Sequence, residues 1–198
     1  MIIRADDATT SRQAPEHDLA AKFLHARNGT GVRHATPADV PYIDALRKKE
    51  GDAIGFRSLQ RYHAIVARSA FPHETLYVTE DNGDLTGFVY ASHADRTSSI
   101  WQIVVQEDAR RWTRALLMLD VVEREAVRRN SYGVKCRVAA DIEANHFWRA
   151  AGYVPASLVT SSAFGRGESK SKRQLIVYYK TLGHELFGPD TYTLELAS

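Results

Sequence analysis

Apolar residues recur at two different spacings along the chain, and these spacings outline its secondary structure. Residues 75–80, 85–94 and 98–106 alternate between apolar and polar side chains, which predicts three successive β-strands. The tetrapeptide Asp-Asn-Gly-Asp at 81–84 lies between the first two runs and predicts a tight hairpin turn. From residue 108 to about 129 the spacing becomes helical, and we expect one face to hold Trp112, Ala115, Leu116, Leu119, Val122 and Ala126.

The remaining elements follow from the same reasoning. Residues 31–36 predict a strand, Thr36-Pro37 begins a helix to about residue 50, and residues 58–69 predict a second helix. Further along, the pattern predicts a strand at 134–140, a short helix at 142–151 closed by Gly152, and two strands at 153–159 and 173–182. The order β-α-α-β-β-β-α-β-α-β-β is typical of a mixed sheet flanked by helices, in the α+β or α/β class. Residues 98–139 form the expected parallel crossover.

Length and composition narrow the class of protein. The 198 residues favour one domain, which we place at residues 31–182, with an N-terminal appendage at 1–30 and a tail at 183–198. No apolar stretch approaches the roughly 18 to 20 residues that a membrane-spanning helix needs. The single cysteine, Cys136, fits a reducing compartment, so we expect a cytoplasmic protein. A net charge of +2 is too mild to indicate nucleic-acid binding by itself.

The stretch DARRWTRALL at 108–117 combines a strand end, arginines and a helix start. Amide N–H groups and the helix dipole at such a point favour an anion, and arginines add bidentate contacts to phosphate. A charged run of this kind also occurs as an ordinary solvated loop. The run by itself therefore leaves both interpretations open.

Two segments together resemble the GCN5-related N-acetyltransferase (GNAT) superfamily. QIVVQEDARRWTRALL is similar to its acyl-CoA segment, a strand followed by an acidic turn and Arg/Gln-x-x-Gly-x-Gly/Ala. DIEANHFWRAAGYVPA is similar to its second segment, Asn-x-x-Ala-x-x-Phe-Tyr-x-x-x-Gly-Phe. The resemblance covers roughly residues 32–182. It implies a mostly antiparallel sheet of about six or seven strands, splayed into a V and flanked by about four helices.

The resemblance also implies where acetyl-CoA would bind. The backbone of Ile103, Val104 and Val105 would pair with the pantetheine arm. The diphosphate would be surrounded by the amides of Arg110, Arg111, Trp112, Thr113, Arg114 and Ala115. Asp141 and Trp148 would contact the cofactor from the second segment.

Two positions depart from the family's pattern. Thr113 stands where glycine is usual, and a Cβ there costs about 1–2 kcal/mol if φ is positive. Trp148 stands where many relatives have the tyrosine that protonates the leaving thiolate, a role that an indole cannot perform. Gln102 and Tyr153 are the catalytic candidates, Gln102 to position a water molecule and Tyr153 to replace the missing acid. Other substitutes for the acid are Tyr178, Tyr179 and Cys136, while Glu50 and Glu80 are candidates to lie near the acceptor.

The implied activity is acetyl transfer from acetyl-CoA to a primary amine, on a small molecule or a protein, by direct attack on the thioester. Two alternatives remain open. The basic cluster at 166–173 would suit a nucleic acid, as in phage proteins of this kind that modify DNA bases. The departures at Thr113 and Trp148 would suit an inactive CoA-binding or structural module. The sequence shows no metal-ligand spacing and leaves a homodimer open.

Overall fold

The computed structural model describes residues 30–51, 58–67, 71–94, 96–109, 112–161 and 172–183, without the side chains of Asp108 and Trp112. Residues 1–29 of the predicted N-terminal appendage, residues 184–198 of the predicted tail and most of the 166–173 cluster lie outside these ranges. The helices are α1 (Val40–Lys49), α2 (Leu59–Val66), α3 (Trp112–Arg128) and α4 (Ala144–Ala150). The strands are β1 (Thr30–His34), β2 (Glu74–Asp81), β3 (Asp84–Ala94), β4 (Thr97–Val105), β5 (Gly133–Ala139), β6 (Val154–Ser161) and β7 (Arg173–Thr181).

The seven described strands form one sheet in the order β1-β2-β3-β4-β5-β7-β6. Every neighbouring pair is antiparallel except β4 and β5, which are parallel and joined by α3. The predicted order of elements and the parallel crossover are thereby confirmed. The last hairpin is folded back so that β7, and not β6, lies beside β5, a placement that the sequence did not indicate.

Two turns behave as their residues predict. Asn82 and Gly83 between β2 and β3 both have positive φ, 51° and 94°, as a type I′ hairpin turn requires. Gly152 after α4 has φ of 84°, the left-handed conformation that ends a helix at glycine. The hairpin turn and the helix end were therefore predictable from the residues themselves, because few other residue types adopt a positive φ without an energetic cost.

Helices cover the sheet on both sides. The face covered by α1 and α2, here called the front, has a core that includes Val40, Ile43, Tyr62, Phe88 and Tyr90. The opposite face, here called the back, lies under α3 and α4, and its core includes Met118, Val122, Val134, Trp148 and Tyr178. None of the described helices is long and apolar enough to cross a membrane.

One residue of the predicted α3 face is placed differently by the structure. Leu116 is 42% exposed, whereas Met118 is fully buried beside Leu119, Val122 and Ala126. Leu116 follows Ala115 and so lies about 100° further around the helix, outside the buried stripe. The predicted four-apart ion pairs on the outer side of α3 are confirmed, with Asp120–Arg124 at 2.6 Å and Glu125–Arg129 at 2.5 Å.

The start of α1 is fixed by a buried carboxylate. Asp39 accepts hydrogen bonds from Arg33 Nη1 and Nη2 at 2.7 and 3.0 Å and from the Thr36 backbone N–H at 2.7 Å. These contacts, the arginine bond foremost, lower the pKa of Asp39 from its ordinary 3.8 to about 2. The ionised carboxylate therefore stabilises the fold above about pH 4, and this contribution is lost as the pH falls towards 2.

Asp39→Asn is expected to lower the free energy of unfolding by about 2 kcal/mol at pH 7, since one pKa unit corresponds to roughly 1.4 kcal/mol. The difference from wild type should shrink between pH 4 and 2, measured by urea unfolding. Glu80→Gln is the matched control, because Glu80 also accepts from Arg33, at 2.9 Å, but is partly exposed. It should cost under about 1 kcal/mol. A constant Asp39→Asn effect across this pH range would contradict the assignment.

Candidate active site

The sheet opens between its two parallel strands. β4 and β5 are in register only from Thr97 and Gly133 to Ile100 and Cys136. β4 then continues to Val105 and β5 to Ala139 without further pairing between them. The two strands therefore diverge towards their carboxyl ends, which is the predicted V-shaped splay.

A β-bulge at Trp101 marks the point where the strands part. On β3, Tyr90 pairs with Gln102 and Ala91 pairs with Ile100, so Trp101 is the extra residue of β4. The bulge reverses the alternation of side chains: Ile100 belongs to the back core, whereas Val104 belongs to the front core. A bulge also bends the strand that carries it, which directs the end of β4 away from β5.

The splay leads into a cavity of about 660 Å³. Its walls come from the diverging strands, from α3 and α4, and from the end of α1. Trp148 reaches it from the back core, and Val104 from the front core. Because residues of both faces line one space, the cavity spans the opening of the sheet. A volume of this size accommodates a small-molecule ligand.

Several of the predicted site residues meet at this cavity. It is lined by Gln102, Ile103, Val104, Val105, Ala115 and Trp148. The edge of β4 beyond Ile100 faces this space, as the predicted pantetheine contact requires.

The turn before α3 is only partly described. A short 3₁₀ turn spans Glu107–Ala109 and α3 begins at Trp112, while Arg110 and Arg111 lie outside the described residues. Thr113 is exposed and is not among the described residues with positive φ, which excludes the backbone strain considered for it. Threonine therefore fits this helix start without a conformational cost.

Arg114 holds the turn in place. Its guanidinium binds Asp81 at the end of β2, with Nε 2.7 Å from Oδ2, and donates to the Ala109 carbonyl at 2.8 Å. In this structure Arg114 thus joins the 3₁₀ turn to the sheet. A phosphate contact, as predicted from sequence, would compete with the Asp81 carboxylate.

Asp141 lies away from the cavity wall. Its exposed carboxylate accepts from Arg173 Nε at 2.9 Å and Nη2 at 2.8 Å, which lowers the pKa of Asp141. The neighbouring residues Ile142, Glu143 and Ala144 line the cavity instead. Asp141 therefore fixes the turn before α4 to β7.

Gln102 and Tyr153, the two catalytic candidates, have different surroundings. Gln102 is buried at the cavity wall, and its side-chain oxygen accepts a hydrogen bond from the Tyr62 hydroxyl of α2. Tyr153 packs against Trp148, with ring centroids 5.0 Å apart, and donates to Glu123 at 3.1 Å. Burial raises the pKa of Tyr153, and its ring does not line the cavity. Gln102 is thus placed at the cavity, and Tyr153 supports its wall from behind.

Two other candidates to replace the missing acid, Cys136 and Tyr178, also differ in whether they line the cavity. Cys136 lines the cavity, and burial raises the pKa of its thiol, which keeps it protonated. Tyr178 is buried and donates to Asn145 Oδ1 at 3.1 Å. Of the two candidate carboxylates, Glu50 lines the cavity, whereas Glu80 binds Arg33 near the outer edge of the sheet.

Sequence reasoning missed several residues of the cavity wall. Trp101, Arg137, Glu143, His146 and Phe147 line it. Trp101 and Arg137 each follow the last residue of their strand that pairs across the β4–β5 ladder, so finding them requires knowing where that ladder ends. No group of three or more metal-ligating side chains occurs among the described residues.

A sheet splayed beside its parallel crossover, with a cavity in the opening, is the architecture that the family resemblance implies. Residues 43–153 match the sequence model of the Acetyltransferase (GNAT) family. The match spans more than half of the chain, and the protein belongs to this family. None of the curated protein sequences matches it significantly.

Solved structures agree with the family assignment. A ribosomal-protein-alanine N-acetyltransferase from Brucella melitensis is 19% identical with a TM-score of 0.64, covering 76% of this chain and 99% of that one. NAA60 from Arabidopsis thaliana, in complex with a bisubstrate analogue, is 12% identical with a TM-score of 0.66, covering 77% and 97%. Spermidine N-acetyltransferase from Vibrio cholerae, in complex with CoA and spermine, is 15% identical with a TM-score of 0.63, covering 77% and 95%. At these identities the likeness shows a common fold.

Proposed function

We propose that the protein transfers an acetyl group from acetyl-CoA to a primary amine by direct attack of the amine on the thioester. The observation that carries this proposal is the cavity between the diverging ends of β4 and β5, which is lined by residues of both faces of the sheet. A donor entering from the back and an acceptor entering from the front would meet inside the opening. Holding both substrates in one space supplies much of the rate enhancement through proximity.

The donor would bind along the edge of β4. The backbone of Ile103 to Val105 would pair with the pantetheine amides as an added strand does. The amides from Arg110 to Ala115 and the dipole of α3 would hold the diphosphate. Trp148, buried against the cavity, would form an apolar wall beside the thioester.

The chemical step requires a neutral amine. Its nitrogen would attack the thioester carbonyl carbon, the C–S bond would break, and backbone N–H groups of β4 would stabilise the oxyanion. Glu50, which lines the cavity at the end of α1, would take the proton that the ammonium loses. The leaving thiolate would take its proton from water, because the indole of Trp148 is not acidic enough to donate one.

Ala115→Glu tests the donor site. Ala115 lines the cavity in the first turn of α3, so a carboxylate there should repel the diphosphate and weaken acetyl-CoA binding about tenfold. The measurement is the concentration dependence of thermal stabilisation by acetyl-CoA. Leu116→Glu adds the same charge one residue later on an exposed side chain and should bind acetyl-CoA like wild type.

Three results are informative here. Equal weakening by both substitutions would place the diphosphate elsewhere on α3. Failure of acetyl-CoA to stabilise the wild-type protein would overturn the proposed donor and favour a structural module. Amine-dependent release of free CoA thiol from acetyl-CoA, absent without an amine, is the expected positive result.

A further inference from the structure

An exposed aromatic ring whose orientation is fixed lines the cavity on the front side of the sheet. Trp101 is 42% exposed, lines the cavity, and donates from Nε1 to Ser92 Oγ at 2.8 Å. Ser92 and Ser99 are register partners on β3 and β4. Since residues two apart on a strand share a face, Ser92 lies on the same side as Tyr90 of the front core. The indole is therefore held on the front face, at the bulge where the sheet opens.

An arginine lies across the opening from this tryptophan. Arg137 follows Cys136, the last residue of β5 in register with β4, just as Trp101 follows Ile100. Cys136 and Val138 point to the back core, so Arg137 points to the front, where it is exposed and lines the cavity. Lys135 is exposed on the same side of β5, two residues before it.

The charge of Arg137 is not neutralised within the described structure. Arg33, Arg61, Arg114 and Arg173 all bind a carboxylate, whereas Arg137 forms no ion pair with any described residue. The described helices on the front face pack over the other half of the sheet, at β2, β3 and the end of β4. This part of the front face thus presents a ring and positive charge at the entrance to the cavity.

We propose that Trp101 and Arg137 form a subsite that selects acceptors carrying a planar ring and an anionic group. The inference rests on the proposed function, in which the acceptor enters from the front. The ring of the acceptor stacks on the indole, its phosphate or carboxylate binds the guanidinium, and its amine points into the opening towards Glu50. Stacking on an aromatic face and a charge-assisted bond to arginine are the two interactions that these side chains provide best.

Binding of phenyl phosphate, measured by calorimetry with and without saturating CoA, tests this subsite. Inorganic phosphate and benzyl alcohol each supply one half of the probe, and phenylacetate replaces the phosphate with a carboxylate. We expect phenyl phosphate or phenylacetate to bind at least about tenfold more tightly than either half probe. If neither does, the subsite is overturned.

Substitutions locate the binding. Trp101→Ala and Arg137→Gln should each weaken the tighter ring-anion probe about tenfold, and Trp101→Phe, which keeps a ring, should restore most of the loss. Arg149→Gln removes an exposed arginine of α4 outside the cavity wall and should change nothing. Wild-type binding by both Trp101→Ala and Arg137→Gln would overturn the proposal.

Thermal stabilisation by CoA in the same samples separates the two proposals. Stabilisation by CoA without binding of the ring-anion probes retains the donor site and rejects the subsite. Probe binding that depends on Trp101 and Arg137, without stabilisation by CoA, retains the subsite and rejects the proposed donor. We expect both kinds of binding in wild type, and intact stabilisation by CoA in both subsite variants.

Discussion

Glu50→Gln is expected to lower kcat/KM for acetyl transfer about 100-fold at pH 7, the usual scale for loss of a positioned base. Glutamine keeps the size and hydrogen-bonding capacity of Glu50 but cannot accept the proton that the ammonium must lose before the amine attacks. The defect should shrink as the pH rises towards the pKa of the acceptor amine, because the amine then loses its proton to solvent. Acetyl-CoA should still stabilise the variant, since Glu50 ends α1 on the front side and the proposed donor contacts lie elsewhere.

Glu143→Gln provides the matched control for this prediction. Glu143 is the other glutamate lining the cavity, but it lies immediately before α4 and outside the front helices. We expect its kcat/KM to stay within about twofold of wild type. An equal loss in both variants would indicate a general effect of cavity charge. Unchanged activity in Glu50→Gln would remove Glu50 from the mechanism.

Gly87→Ala is expected to destabilise the protein by about 3 kcal/mol and to lower Tm by roughly 6–12 °C. A Cβ at Gly87 would fall well inside van der Waals contact with the Val104 carbonyl oxygen, and would lie 3.2 Å from Val105 Cα and 3.1 Å from Thr79 Cγ2. The first two obstacles are backbone, so the new methyl group can be accommodated only by moving β4. This is also the part of β4 proposed to bind pantetheine, so acetyl-CoA should stabilise the variant less.

Gly31→Ala is the matched control, because an added Cβ at this strand glycine meets no other atoms. Gly31 lies in β1 at the edge of the same sheet, and a Cβ there meets nothing within 4 Å. Because alanine loses less conformational entropy than glycine on folding, this variant should be unchanged or more stable by up to about 1 kcal/mol. Similar Tm values for Gly87→Ala and Gly31→Ala would contradict the close approach between Gly87 and the backbone of β4.

Particular residues show where prediction from sequence succeeded. Asn82-Gly83 required a hairpin turn and Gly152 a left-handed helix end, because these conformations depend on the residues themselves. Leu116 shows the limit of this reasoning. It was assigned to the buried face, yet it lies about 100° around α3 from Ala115 and is 42% exposed.

The candidate site was predictable only in part. The strand and helix start that flank the proposed diphosphate site follow from the spacing of apolar residues. The structure also brings Gln102, Ala115 and Trp148 to one cavity. Asp141 and Arg114 are instead occupied by Arg173 and Asp81, partners that are 32 and 33 residues away in sequence. No local pattern reveals pairs at such distances.

The sequence by itself determined the order and type of the elements, the hairpin, the parallel crossover and the family resemblance. All of these depend on residues that are near one another in the chain. The tertiary structure decided the insertion of β7 beside β5, the bulge at Trp101 and the residue at which β4 and β5 part. These features depend on how strands distant in sequence pair and twist against each other, and they brought Trp101 and Arg137 to the mouth of the cavity.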